Sequence, residues 1–421
     1  MQIKSISLEN FKAIRHSGVV RLKPLTVLIG HNGSGKSSLL EALDTYRQIV
    51  FNGVDAAMEQ WQGFEHIRHK AARARLTTAA QADPSRQEGA MAFKLKLASD
   101  QGPVGLEMAV NTREAGNLLY LQRETCVLAG ESVSRQAVGQ RGRQGLGVQA
   151  SEGLQADVNR ALQSIGGGQS LLPYLSAFRP VTNALREMRL LRLNPDRIGQ
   201  LQPVRRTDGR VQMAEDGSNV AEYLIDLRER SPSAFDDIVR SMRFVLPYAT
   251  DVEPKILDTS VMRRGYVQLL EGQYEIPGWL MSSGSLRVLP LVALLLDPTP
   301  PAILLIEELE NGLDPRTVSL LVDLMRDATS NRRTQIVATT HSPYLLDMLS
   351  LEDILVCERG EAGPKFWWPD GQEELRNWRD RFTPGKLYTM SVLEKVTGRS
   401  HARVAPTATA EVPEGGWGDE A

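Results

Sequence analysis

The chain has few of the residues that define several protein classes. Only two cysteines, Cys126 and Cys357, occur among 421 residues, which excludes a disulfide scaffold and a multi-cysteine metal site. So few cysteines are typical of a reducing, cytoplasmic compartment. The formal net charge is −2, which excludes a generally basic nucleic-acid coat protein and leaves a local basic face open.

Long apolar runs are also missing. The longest, residues 288–296, contains Pro290 and is much shorter than the roughly 20 residues that a membrane span requires. Residues 1–8 alternate apolar and polar side chains, which predicts a half-buried strand and not a signal peptide. We therefore expect a cytoplasmic protein with no membrane partner. The length predicts two or three domains, or one large domain with insertions.

A glycine-rich turn is the first functional motif. Residues 30–37, GHNGSGKS, match GxxxxGK[ST] and lie between a strand-like apolar run and a helical pattern. In such a turn, backbone N–H groups and a helix N-terminus face the nucleotide phosphates. Lys36 would neutralise phosphate charge, and the Ser37 hydroxyl would ligate Mg²⁺; the alternative is a chance glycine-rich turn. The predicted nucleotide-binding residues here are Gly30, Asn32, Gly33, Ser34, Gly35, Lys36, Ser37 and Ser38.

A second motif lies far along the chain. The apolar segment 302–306 ends in Glu307 and Glu308, as a Walker B strand does. Glu307 is the predicted Mg²⁺ ligand, and Glu308 is predicted to orient and deprotonate the attacking water. The alternative is a strand that ends in a solvated acidic turn. A helical pattern and a second apolar strand, at 334–339, follow, which together indicate a parallel sheet buried on both faces.

The order of the motifs resembles that of ABC-type ATPase heads of the RecF, SMC and OLD kind, collected as AAA-family predicted ATPases. LENFK at 8–12 is similar to their LxNF[KR] opening, and EDGSN at 215–219 to their DGxN stretch. MSSGSLR at 281–287 stands where they carry a signature motif. EELENGLDP at 307–315 resembles their Walker B plus D-loop, and THSP at 340–343 their switch-histidine segment.

Some positions depart from the pattern of these families. Glu307 stands where many members have Asp, Leu309 replaces a Pro, and Ser283 replaces Gly or Asp. No glutamine of a Q-loop can be placed with assurance, and Gln122 is only a guess.

The resemblance implies an α/β fold: a P-loop NTPase with an ABC-type head, a mixed central sheet, an antiparallel β subdomain and a helical lobe. It also implies an ATPase that uses ATP and Mg²⁺, in which two chains sandwich two ATP molecules as a homodimer or a higher oligomer. Ser282 and Gly284 would then act in trans, Asp314 would couple the two sites, and His341 would sense the γ-phosphate.

We predict four regions along the chain. Residues 1–140 are the N-terminal part of the head, 141–270 an inserted, Arg-rich and mostly helical lobe, and 271–404 the C-terminal part of the head. The small, acidic tail 405–421 is predicted to be disordered. Segment 139–168, rich in Gly, Gln and Ser, is predicted to be a loop or mobile insertion.

Two basic clusters could contact nucleic-acid phosphates. A solvated helix face or a subunit contact is an equal alternative for both. The first cluster is Arg68, Lys70, Arg73 and Arg75, and the second is Arg179, Arg186, Arg189, Arg192, Arg197, Arg205, Arg206 and Arg210.

The leading functional hypothesis is an ATPase whose ATP-dependent dimerisation drives a conformational switch in a partner effector from another gene, in anti-phage defence or genome maintenance. The alternative is a RecF-like, ATP-gated clamp on DNA. A transporter subunit is disfavoured, because the opening strand and the insertion resemble the RecF side. The strand-like segment 354–360 superficially resembles the start of a Toprim nuclease, but no DxD follows it, so we expect no built-in nuclease.

Overall fold

The computed structural model describes residues 1–71, 89–113, 118–140, 143–204, 209–258, 262–360, 363–372, 375, 381–390 and 392–395. The predicted disordered tail, 405–421, and the basic residues Arg73, Arg75, Arg205 and Arg206 lie outside the described residues.

A six-stranded sheet forms the centre of the protein, in the order β10-β15-β16-β4-β17-β18. The first five strands in that order are parallel, and β18 is antiparallel to β17. The parallel strands therefore end at one edge of the sheet. The strands are β4 (Leu25–Ile29), β10 (Arg189–Leu191), β15 (Ile303–Ile306), β16 (Gln335–Thr339), β17 (Ile354–Gly360) and β18 (Gly363–Trp367).

An eight-stranded antiparallel sheet forms the second layer, in the order β2-β1-β5-β6-β7-β8-β9 with β3 beside β1. It is the predicted antiparallel β subdomain. Its strands are β1 (Gln2–Phe11), β2 (Ile14–His16), β3 (Val20–Arg21), β5 (Met91–Ser99), β6 (Gly102–Arg113), β7 (Leu118–Leu128), β8 (Glu131–Gln140) and β9 (Arg143–Ala150).

The prediction of a loop at 139–168 is wrong. Strand β9 pairs with β8 from Val133↔Ala150 to Gln140↔Arg143, and a helix follows at Gln155–Leu162. The segment misled because it has few large apolar residues. An edge strand is held by backbone hydrogen bonds on one side only and needs few such side chains.

A third, four-stranded antiparallel sheet contains β11 (Gln202–Pro203), β12 (Asp251–Asp258), β13 (Arg263–Glu271) and β14 (Tyr274–Pro277). The range 141–270, predicted as an inserted lobe, thus contains strands as well as helices, and its β10 lies in the central sheet. The four-region division stays a prediction.

The helices whose bounds the structure describes, apart from short 3₁₀ turns, lie on the central sheet, beside the antiparallel sheets or against other helices. They are α1 (Lys36–Glu59), α2 (Phe64–Ile67), α3 (Gln155–Leu162), α4 (Arg179–Glu187), α5 (Pro195–Ile198), α6 (Val220–Arg230), α7 (Pro232–Val245), α8 (Ser283–Leu296), α9 (Pro315–Ser330), α10 (Pro343–Asp347), α11 (Pro384–Thr389) and α12 (Val392–Lys395).

Alternation along the central strands builds two hydrophobic cores. Leu304 and Ile306 of β15 face a core shared with α6 to α9, whereas Ile303 and Leu305 face a core shared with α1 and the antiparallel sheet. Each of these four side chains is at most 2% exposed, and full burial of such a side chain contributes about 1.5–3 kcal/mol. The predicted α/β class, with its parallel strands buried on both faces, is confirmed.

Among the described residues, no helix combines the length and apolar composition needed to cross a membrane.

Candidate nucleotide-binding site

The glycine-rich turn connects β4 to α1 at the edge where the parallel strands end. Gly30, Gly33 and Gly35 have φ values of 144°, 72° and 115°, in the left-handed region where a side chain is strained. A Cβ at Gly30 would lie 2.0 Å from the carbonyl oxygen of Cys357 on β17, and one at Gly35 would lie 2.7 Å from Cγ of Pro364. The strands β17 and β18 therefore require glycine at both positions.

Lys36, the first residue of α1, turns back over this loop. Its Nζ donates hydrogen bonds to the carbonyl oxygens of Gly30 at 2.6 Å and His31 at 3.0 Å, and the residue is 6% exposed. Burial lowers the pKa of Lys36, while nearby Cys357, Glu308 and Glu310 act in the opposite direction. The ammonium is therefore held close to the loop and to the carboxylates of the second motif.

The serines of the loop fit phosphate and magnesium chemistry. The Oγ atom of Ser34 is buried and has no hydrogen-bond partner among the described residues, so it is available to a phosphate oxygen. Ser37 is exposed at the start of α1, and Asn32 is exposed in the loop, whereas Ser38 is buried. No group of three or more His, Cys, Asp or Glu suited to a metal occurs in the described parts of the chain.

The two glutamates follow β15 at the same edge. The backbone N–H of Glu308 donates to Oγ1 of Thr339 at 2.9 Å, and its carboxylate accepts from Nδ2 of Asn311 at 3.0 Å. Glu308 has a φ of 48°, an uncommon conformation for a residue with a side chain, and such strain is found preferentially at functional sites. The carboxylate of Glu307 accepts two hydrogen bonds from Arg192, at 2.8 and 3.2 Å.

His341 follows β16, the strand that separates β15 from β4. Its backbone N–H donates to Oε1 of Glu310 at 2.6 Å, and Oε2 of Glu310 is buried without a hydrogen-bond partner in the described residues. Burial, and then the charge of Lys36, lower the pKa of His341, against the opposing influence of Glu310 and Glu308. Lys36, Glu308, Glu310 and His341 thus share one electrostatic environment.

Sequence reasoning missed three residues of this region. Glu310 lies inside the D-loop match, where its own role is not marked by the motif. Glu41 of α1, which accepts a hydrogen bond from Arg192 at 2.6 Å, belongs to no motif. Arg192 was counted only as one of a basic cluster. A signal for Arg192 exists in the sequence, because it follows the apolar pair Leu190 and Leu191 as the glutamates follow β15.

The signature segment and the D-loop contact each other and lie apart from the glycine-rich turn. Ser282 caps α8, accepting from the backbone N–H of Ser285 at 3.1 Å, and a Cβ at Gly284 would lie 2.6 Å from the carbonyl oxygen of Gly312. Asp314 caps α9, accepting from the backbone N–H of Thr317 at 3.1 Å and from its hydroxyl at 2.5 Å.

Although burial opposes it, the hydrogen bonds from Thr317 hold the pKa of Asp314 below its usual range. The contacts described for Ser282, Gly284 and Asp314 do not reach the glycine-rich turn.

Gln122, the guess for the Q-loop, lies on β7 and is 7% exposed. Its side-chain oxygen accepts from Nδ2 of Asn111 on β6 at 3.1 Å. This contact lies within the antiparallel sheet and gives the guess no support.

Most described arginines of the second basic cluster make internal contacts. Arg186 stacks on the ring of Phe51. Arg189 is 8% exposed, donates to backbone carbonyls, and has its pKa lowered to about 10 chiefly by burial. Arg197 pairs with Asp216 and Arg210 with Asp297. In the first cluster, Arg68 pairs with Glu65 and is 6% exposed. Arg68 and Arg189 are therefore buried within the chain, whereas Arg186, Arg197 and Arg210 are exposed but already have partners in the chain.

Two family models match the sequence. One, described as "AAA domain, putative AbiEii toxin, Type IV TA system", matches residues 170–347, and the other, "AAA ATPase domain", matches residues 1–70. The first range holds the signature segment, both glutamates and His341, and the second holds the glycine-rich turn. No curated protein matches the chain.

Solved SMC heads have a similar structure. An SMC head bound to the C-terminal winged-helix domain of ScpA has a TM-score of 0.51 and 14% identity, over 87% of this chain and 97% of that chain. The SMC head domain of Thermotoga maritima has a TM-score of 0.41 and 12% identity, over 87% of this chain and 99% of that chain. The first of these likenesses supports the fold alone.

Proposed function

We propose that this chain, which carries AAA-family ATPase sequence on the fold of an SMC-type head, binds ATP with Mg²⁺ and hydrolyses it in a two-chain assembly that switches a partner protein. The observation that carries the proposal is that Lys36, Glu308 and His341 follow β4, β15 and β16, which are adjacent parallel strands that end at one edge of the sheet. These residues come from three separate parts of the sequence.

The nucleotide would lie against the glycine-rich turn. The N-terminus of α1 and the Lys36 ammonium favour negatively charged phosphates. The Ser34 hydroxyl, which has no hydrogen-bond partner among the described residues, supplies a further donor. Ser37 and Glu307 would hold Mg²⁺, which when bound neutralises charge on the phosphates. In the present conformation Lys36 donates to loop carbonyls, and these bonds would be exchanged for bonds to phosphate.

Glu308 would act as the general base. Its carboxylate would accept a proton from water while the water oxygen bonds to the γ-phosphorus. The bond from that phosphorus to the bridging oxygen breaks, and its electron pair stays on ADP. Asn311 holds the carboxylate at 3.0 Å, which limits its rotation. Burial lowers the pKa of His341, and a ring N–H of its imidazole could donate one hydrogen bond to an oxygen of the γ-phosphate.

Two chains would complete the site. Ser282 and the N-terminus of α8 would face the γ-phosphate of the partner chain, with Gly284 and Asp314 beside them. Trp279 and Leu280, directly before Ser282, are 46% and 70% exposed. Burial of this apolar surface against a second copy would favour association.

The switched partner would be an effector protein. The match to a model described as a putative AbiEii toxin supports a role in anti-phage defence more than a role in DNA repair. The RecF-like clamp on DNA has less support, because Arg186, Arg189 and Arg210 are engaged within the chain.

Glu308→Gln tests the proposal. We expect ATP binding to persist, hydrolysis to fall about 100-fold or more, and native mass spectrometry with ATP to show an accumulated dimer. Glu229→Gln, on the exposed end of α6, is the matched control and should hydrolyse ATP like the wild type. Normal turnover by Glu308→Gln would show that another group is the base.

A further inference from the structure

The guanidinium of Arg192 joins three carboxylates from three separate elements. It donates to Glu307 at the end of β15 at 2.8 and 3.2 Å, and to Glu41 of α1 at 2.6 Å. It also donates to Glu215, in the loop before α6, at 3.2 Å. One side chain thus contacts the Walker B acid, the helix after the glycine-rich turn and a loop of the adjoining region.

Backbone hydrogen bonds also hold Arg192 beside Glu307 and Glu215. Strands β10 and β15 are parallel neighbours with Leu191 opposite Ile306, so Arg192 and Glu307 leave the sheet at the same level. The N–H of Glu307 donates to the carbonyl oxygen of Leu191 at 3.0 Å. On the other side, the N–H of Arg192 donates to the carbonyl oxygen of Glu215 at 2.8 Å.

The charges of the network are unbalanced by one. Lys12 pairs with Glu41 at 2.6 Å, so Lys12 and Arg192 face three carboxylates, those of Glu41, Glu215 and Glu307. Without Glu307 the remaining two cations and two anions balance. The network can therefore release Glu307 to another cation and remain balanced in charge.

Arg192 and a metal ion compete for Glu307. Nε and one terminal nitrogen of Arg192 contact both carboxylate oxygens of Glu307. A divalent cation on either oxygen would stand close to the guanidinium, and like charges at such a distance repel. Both contacts cannot persist unchanged.

The loop that Arg192 holds leads to the signature helix. α6 follows it, and Tyr223 and Arg230 of α6 donate to Asp297 at 2.6 and 3.1 Å. Asp297 directly follows α8 and is fully buried. A change at Glu307 can therefore reach the helix whose N-terminus carries Ser282.

From these contacts we propose that Arg192 is a metal-responsive latch. Without Mg²⁺ and nucleotide, Arg192 binds Glu307 and fixes the loop at 209–219 against the site. When a divalent cation engages Glu307, Arg192 gives up part of that pair and shifts toward Glu41, its shortest contact, and away from Glu215. This loosens the loop and signals occupancy toward α8. The proposal rests on the proposed role of Glu307 as a metal ligand.

Hydrogen exchange of the full chain tests the latch directly. The wild-type chain is measured with a non-hydrolysable ATP analogue, once with Mg²⁺ and once with EDTA. We expect Mg²⁺ to speed amide exchange in peptides covering 209–219 by about fivefold or more, at the lower end of typical coupling between sites. This comparison needs no variant, so it does not depend on the folding of a mutant.

Two variants locate the effect. In Arg192→Met, exchange at 209–219 should already be fast with EDTA and insensitive to Mg²⁺, and the Mg²⁺ concentration needed to change the signal of a bound fluorescent ATP analogue should fall. Arg197→Met is the matched control. Arg197 contacts Asp216 of the same loop at 3.6 Å, but its described contacts do not include Glu307, so the Mg²⁺ response should remain.

The outcomes separate the latch from the proposed function. If the wild type binds the analogue with Mg²⁺ but exchange at 209–219 is the same with EDTA, the latch is wrong and the ATPase proposal stands. If Arg192→Met needs more Mg²⁺ than the wild type, Arg192 positions Glu307 for the metal, and the latch is again wrong. If the wild type binds no analogue under either condition, the proposed function itself fails.

Discussion

The glycine-rich turn and the signature region differ in how their polar groups are satisfied. At the turn, the buried hydroxyl of Ser34 has no hydrogen-bond partner in the part of the chain that the structure describes, and Lys36 donates to carbonyls that a phosphate can replace. At the signature, Ser282 and Asp314 are already bonded as helix caps within their own segments. We therefore propose that the first region binds a ligand by itself, and that the second presents a preformed surface. On this basis we expect one chain to suffice for binding and two for hydrolysis.

The largest effect should follow from Lys36→Ala. Loss of a buried ammonium that contacts phosphate costs about 3 kcal/mol, which corresponds to roughly 100-fold weaker ATP binding. Isothermal titration calorimetry on the single chain measures it. Lys94→Ala, on an exposed position of β5, is the control and should bind ATP normally. If Lys36→Ala bound ATP with unchanged affinity, the glycine-rich turn would not be the region that binds the ligand.

The next effect concerns the signature region. Ser282→Ala should leave the ATP affinity of a single chain unchanged, but slow hydrolysis about 100-fold, the effect of removing one donor from a developing charge.

Mixing variants tests whether Ser282 acts in trans. Ser282→Ala and Glu308→Gln chains, each inactive alone, should recover activity when combined, because one site of the mixed dimer then has both intact residues. If the mixture stays inactive while each chain folds and dimerises, the two residues serve the same site within one chain.

A smaller effect, on stability, is expected at Asp297. This buried carboxylate accepts from Tyr223, Arg210 and Arg230. Asp297→Asn would remove the carboxylate that pairs with Arg210 and leave Arg230 with Asp226 alone. We expect a loss of about 2 kcal/mol in the free energy of unfolding, below the range for a fully buried pair. Urea denaturation measures it. Asp226→Asn, which removes only the helical pair with Arg230, should cost about 0.5 kcal/mol.

The smallest effect is the acid dependence of that stability. Burial raises the pKa of Asp297, but the hydrogen bonds from Tyr223 and Arg230 prevail and hold it below its ordinary value of 3.8. Its contribution is therefore complete above about pH 4 and is lost as the pH falls through the lower, folded-state pKa. The difference in stability between wild type and Asp297→Asn should shrink below pH 4. A constant difference down to pH 2 would mean that the carboxylate charge is not what stabilises this contact.

The motifs of the candidate site could be found in the sequence because local geometry demands particular residues. Glycine is needed at positions 30 and 35, where the backbone has positive φ and β17 and β18 come close. Buried parallel strands demand continuous apolar runs, as in β15 and β16. Strand β9 could not be predicted from the sequence, because an edge strand needs few large apolar side chains.

The sequence by itself determined which residues could bind a nucleotide and the α/β class that holds them, since both follow from short-range patterns. Only the tertiary structure decided the partners of the arginines. Arg192 lies beside Glu307 because β10 and β15, far apart in the chain, are neighbours in the sheet, whereas Arg210 pairs with a carboxylate at the end of α8. Composition assigns both to one basic cluster, because charge acts through distances in space that the order of residues does not specify.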